Sequence, residues 1–128
     1  MKNRWAVALG IFAAFILGAA SMHGLNAQAK PKAYTITELE TINEAEAKAF
    51  APVAQAAQEK AGGRPFRTGG GKIVLLEGSS APKRVPITEW NSLEQAEAFY
   101  KSKAWTDLAP QRNKAVKTIR RYLVEATN

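Results

Sequence analysis

Ile73-Val74-Leu75-Leu76 is apolar at four consecutive positions, with Lys72 and Glu77 at its ends and a glycine beyond each. A strand with one wet face alternates polar and apolar residues. An unbroken run therefore predicts a strand over 72–77 that needs cover on both faces. A single layer of structure cannot supply that.

The elements around it follow from local signals. Residues 33–39 alternate and are rich in β-branched and aromatic types, which predicts a strand. Asn43 is a good N-cap, Glu44 and Glu46 suit a helix N-terminus, and an Ala-rich helix should run to Ala61. Phe50, Val53, Ala54 and Ala57 give it one apolar stripe, Pro52 should kink it, and Gly62-Gly63 should end it. A short strand over 64–68 and a bulge at Gly69-Gly70-Gly71 lead into the 72–77 strand. A loop over 78–82 then turns to a strand over 84–90, which Pro86 marks as an edge or bulge. Ser92 with Gln95 forms a capping box for a helix carrying Leu93, Ala96, Phe99 and Tyr100 on one face. A further helical stretch holds Trp105 and Leu108, is interrupted at Pro110 and reaches about Lys117; residues 118–125 close the chain as a strand. The order is β-α-β-β-α-β. It predicts an α+β, ferredoxin-like fold, a four-stranded antiparallel sheet with the helices on one face. The other sheet face is then bare, and a second copy of the same sheet is its simplest cover, so a homodimer is expected.

The first residues read differently. Lys2 and Arg4 precede a charge-free run from Trp5, and Ala27-Gln28-Ala29 follows at the distance of a cleavage site. This is the pattern of a secretory signal peptide over 1–29, leaving a single domain over 30–128; an uncleaved membrane anchor is the alternative. The expectation is export to the periplasm or medium, with membrane contact only through that peptide. The chain has 128 residues and a net charge of +7; losing Lys2 and Arg4 would take it to +5.

The same cleavage removes His23, the one histidine, and there is no cysteine. Zinc, iron–sulfur and His- or Cys-ligated haem sites, thiol nucleophiles and Ser-His-Asp triads all require residues this domain lacks. No cofactor or metal is expected. The basic surplus at Arg112, Lys114, Lys117, Arg120 and Arg121, and at Lys83-Arg84, comes with no nucleic-acid motif and reads as a solvated charged face. Gly69-Gly70-Gly71-Lys72 fails the phosphate-loop pattern, with Phe66 in place of its first Gly and a strand predicted where a helix should begin.

Two carboxylates share strand faces with apolar residues: Glu77 with Ile73 and Leu75, and Glu89 with Val85 and Ile87. Each is a candidate general base if partly buried, or one half of an ion pair at the sheet rim. Phe66, Trp90, Phe99, Tyr100, Trp105 and Tyr122 would line a pocket or fill the core.

Taken together, Ala33-Tyr34, Gly62-Gly63-Arg64, Phe66-Arg67-Thr68-Gly69-Gly70, Leu76-Glu77-Gly78, Pro82-Lys83-Arg84-Val85, Ile87-Thr88-Glu89-Trp90 and Phe99-Tyr100-Lys101-Ser102, with Arg112 downstream, resemble the domain of unknown function 1330 family. That family belongs to the dimeric α/β-barrel superfamily, and the resemblance spans about 33–126. Pro86, Trp90 and Trp105 depart from its usual residues. The resemblance implies the fold and the dimer but no assigned activity; superfamily relatives include cofactor-independent oxygenases and small isomerases. Two functions stay open. One is a cell-envelope binding or accessory protein for a small anionic or aromatic ligand. The other is a cofactor-free enzyme with Glu77 or Glu89 moving a proton and Arg64, Arg67 or Arg84 steadying an anion. Either way the expected site is the cleft between helices and sheet, built from Arg64, Arg67, Glu77, Arg84, Glu89, Trp90 and Tyr100.

Overall fold

The structure is a computed structural model that describes residues 30–127. The expected signal peptide, with His23, lies outside the described residues. The elements run β1 (Ala33–Thr41), α1 (Glu44–Lys60), β2 (Arg64–Pro65), β3 (Ile87–Trp90), α2 (Leu93–Lys101), α3 (Lys103–Thr106), α4 (Ala109–Ala115) and β4 (Val116–Glu125). The four strands form one antiparallel sheet in the order β2-β3-β1-β4, the ferredoxin-like arrangement.

The two longer helices, α1 and α2, start where side chains satisfy their free N–H groups. Asn43 Oδ1 accepts from Glu46 N at 3.0 Å, and Ser92 Oγ accepts from Gln95 N at 3.1 Å. Gln95 also accepts from Asn91 N and donates to the Ala61 carbonyl, tying the start of α2 to the end of α1. Gly62 ends α1 at φ +95°, in the left-handed region that glycine enters without steric cost. Pro52 sits inside α1 on its exposed side.

Residues 72–77 form no strand, contrary to expectation. Val74, Leu75 and Leu76 are 67%, 43% and 89% exposed. Hydrophobicity states that a segment needs cover, but a strand needs a hydrogen-bonding neighbour, and this one finds none among the described residues. After Phe66 N–H donates to the Ile87 carbonyl, the glycine turn at 69–71 takes the chain off the sheet. The third strand is likewise shorter than 84–90. Arg84 and Pro86 lie beside β1 and accept from Leu39 N and Thr37 N, but Pro86 has no N–H to return, so regular pairing begins at Ile87.

One face of the sheet carries the helices. Ala33, Thr35, Thr37 and Leu39 of β1, with Thr88 and Trp90 of β3, are buried on it. The core joins them to Phe50, Phe99, Trp105 and Val116. The opposite face holds Tyr34, Ile36, Ile87, Tyr122 and Val124. A bulge opposite Glu38 and Leu39 leaves Ile119 unpaired, so Thr118 and Arg121, which differ in parity, both face the helices.

Candidate functional site

The helix face of the sheet is unusually polar for a core. Thr35 Oγ1 accepts from both Trp90 Nε1, at 2.9 Å, and Tyr100 OH, at 3.0 Å. Thr88 Oγ1 donates to Gln58 Oε1 at 2.8 Å, and Arg121 Nε donates to Thr37 Oγ1 at 3.2 Å. Burial raises the Tyr100 phenol above its ordinary pKa, an effect that Thr35 and the Arg121 cation only partly oppose.

Between α1 and this polar row lies a cavity of about 120 Å³. Phe50, Ala51, Ala54 and Gln58 of α1 form one wall; Thr37, Leu39, Thr88 and Arg121 of the sheet form the other, with Trp105 and Arg84 also lining it. Arg121 reaches inside because β4 presents it on the same face as Leu123, next to Thr37. Its guanidinium lies 4.7 Å from the Trp105 ring and 5.7 Å from the Tyr100 ring. No carboxylate pairs with it among the described residues. Burial accordingly lowers its pKa, with Arg112 acting in the same direction.

The residues expected at the site scatter. Glu89 stands on the open face, where Lys32 at 3.1 Å and Arg64 at 2.8 Å hold it; hydrogen bonds from Lys32 first and Arg64 second keep its carboxyl below the usual range. Of the two readings open for Glu89, the geometry is that of the rim ion pair. Glu77 and Arg67 are exposed, and Glu77 lies on the irregular segment rather than on a strand. Trp90 is fully buried core, packed on Phe99 at 5.2 Å. Tyr100 lies under the cavity's polar row through Thr35 and Arg121. Arg84 alone of the set lines the cavity, and its Nε and Nη1 are committed to the Gly69 carbonyl and Thr41 Oγ1.

Sequence reasoning missed Thr37, Gln58, Thr88 and Arg121, and it placed Arg112 and Arg121 on a solvated face. Both guanidiniums are instead partly buried against Trp105. The available signal was the shared parity of Arg121 with Leu123, and of Thr35 and Thr37 with Leu39.

A four-stranded sheet in this order, helices on one face and a cavity beneath the first helix, defines a ferredoxin-like α+β protein. The chain belongs to the DUF1330 family, a domain of unknown function, whose profile matches residues 32–127. Among solved structures it is similar to RPA0582, a protein of unknown function from Rhodopseudomonas palustris, at 15% identity and a TM-score of 0.59 over 85% of this chain and 93% of that one. It is also similar to SnoaB, a cofactor-independent oxygenase from Streptomyces nogalater, at 16% identity and a TM-score of 0.54 over 77% of this chain and 95% of that one. At such identities the likeness is one of fold. No curated protein matches the chain.

Proposed function

We propose that the protein is an exported homodimer that binds a small organic molecule between α1 and the sheet. The observation that carries the reading is the cavity itself: a volume of about 120 Å³ with a mainly apolar helix wall that also carries Gln55 and Gln58, and a sheet side that presents threonine hydroxyls with Arg84 and Arg121. A cavity of ~150 Å³ admits benzene, so the ligand is of that order of size. Export is supported by the basic, apolar and Ala-x-Ala succession at 1–29. The dimer is supported by the open sheet face, where Tyr122 and Val124 are 44% and 46% exposed beside Tyr34, Ile36 and Ile87.

The competing reading is a cofactor-independent enzyme, the activity named for SnoaB. Proton abstraction needs a base within about 3 Å of the reacting atom. The cavity lining offers hydroxyls, glutamines and arginines but no carboxylate, while Glu77 and Glu89 stand elsewhere. Binding is the better-supported function.

Ala54→Leu tests it by filling the cavity from the α1 side. A ligand at a hundred-fold excess over Kd should raise the wild-type melting temperature by roughly 10–20 °C. In a panel of small acids, amides and aromatics, at least one compound should do so with wild type and lose the effect with folded Ala54→Leu. An unresponsive wild type, or equal shifts in both proteins, would overturn the reading.

A further inference from the structure

A guanidinium that is largely withdrawn from solvent and has no counter-ion needs a reason to be there. Arg121 uses Nε on Thr37 Oγ1, and no protein acceptor meets its terminal nitrogens among the described residues. Arg112 is the second such group: its Nη1 is buried with no hydrogen-bond partner, and its guanidinium lies 4.8 Å from the same Trp105 ring. Two cations held against one indole repel each other. The ring faces offset this repulsion only in part. Protein carboxylates that would neutralise the pair are missing from the cavity lining. They are missing too from the open depression that Arg112, Lys117 and Arg121 share with Ile42, Asn113 and Thr118. Arg121 belongs to both spaces, so its free N–H donors are within reach of a ligand in either.

We propose that the ligand is a small monocarboxylate, its carboxylate taken by the fork of Arg121 and its carbon body lying in the cavity against Phe50, Leu39 and Val116. The inference rests on the binding function proposed above and names its ligand class. The planar fork of arginine matches a carboxylate with two parallel N–H···O bonds, which a lysine cannot reproduce. The lining supplies both parts: hydroxyls and the Arg121 guanidinium for the carboxylate, and Phe50, Ala51 and Ala54 of α1 with Leu39 and Val116 of the sheet for the carbon body. Inorganic phosphate, strongly hydrated and without an apolar portion, fits this lining poorly. Arg112 acts as a positioning residue: its charge adds to the field at Arg121, which favours an anion and leaves a neutral occupant unaffected.

The test compares the full chain with acetate, pyruvate and benzoate, with acetamide, pyruvamide and benzamide as uncharged isosteres, and with inorganic phosphate, by calorimetry and melting temperature. At least one carboxylate should bind ten-fold or more tighter than its amide and than phosphate. Arg121→Met should lose that preference while the unliganded protein melts no more than a few degrees below wild type, because an unpaired buried charge has been exchanged for an apolar chain of similar length. Arg121→Lys should not restore it, and Arg112→Met should weaken carboxylates several-fold while leaving the amides unchanged. Amides bound as well as acids would overturn the carboxylate assignment yet leave the binding function standing. Absence of any binding to wild type would overturn both. If the Arg121→Met chain cannot fold, the acid-to-amide ratio on wild type and the Arg121→Lys variant decide the matter, and a full acid preference retained by folded Arg121→Lys would overturn the assignment.

Discussion

Thr35→Val is the sharpest probe of the polar core, because a single oxygen there serves two donors, one fully buried and one partly buried. Thr35 is 2% exposed, and its hydroxyl has two lone pairs, one taken by Trp90 Nε1 and the other by Tyr100 OH. Valine keeps the shape and removes the acceptor. Trp90 is fully buried, so its N–H has no route to water. Each orphaned donor costs about 1–3 kcal/mol, and the methyl that replaces the hydroxyl returns about 0.8 kcal/mol. The net loss should be roughly 1–5 kcal/mol, which for a domain of this size is a fall in melting temperature of roughly 5–40 °C. Thermal and urea melts at one fixed protein concentration measure it. Tyr100→Phe supplies the control: in the Thr35→Val background its donor has already lost its acceptor, so it should cost about 1 kcal/mol less than it does in wild type. A Thr35→Val protein within about 0.5 kcal/mol of wild type, or strict additivity of the two changes, would refute the shared-acceptor geometry.

Gly62→Ala should destabilise by about 1 kcal/mol or more, because alanine is strained at φ +95° and its Cβ would also run into the Gln95 amide. Adding Gln95→Ala should relieve the contact but leave the backbone strain, so a full recovery in urea melts would contradict the cause given. Stability should fall as pH rises above about 10, the ordinary tyrosine value, since the folded state holds the Tyr100 proton more tightly than the unfolded chain does. Tyr100→Phe should flatten that alkaline slope, and an unchanged slope would remove Tyr100 from the explanation.

The sequence by itself determined whatever depends on near neighbours. Asn43, and Ser92 with Gln95, start their helices by local hydrogen bonds, and Gly62 stops one by its backbone freedom; the order of elements followed, and with it the ferredoxin-like sheet. The tertiary structure decided three other matters. Residues 72–77 have every local mark of a strand, yet pairing is a relation between two segments, and among the described residues no second segment pairs with them. Glu89 has the alternation of a half-buried base, yet Arg64 opposite it on β2 makes it an ion pair. Arg121 lies in a basic stretch that reads as solvated. Leu123 and Val124 are both apolar, so alternation alone leaves the facing of β4 open. Pairing with β1, Thr35 opposite Leu123 and Thr37 opposite Arg121, turns Arg121 inward and Arg120 outward to Glu38, because a register fixed by a neighbouring strand decides which parity enters the core.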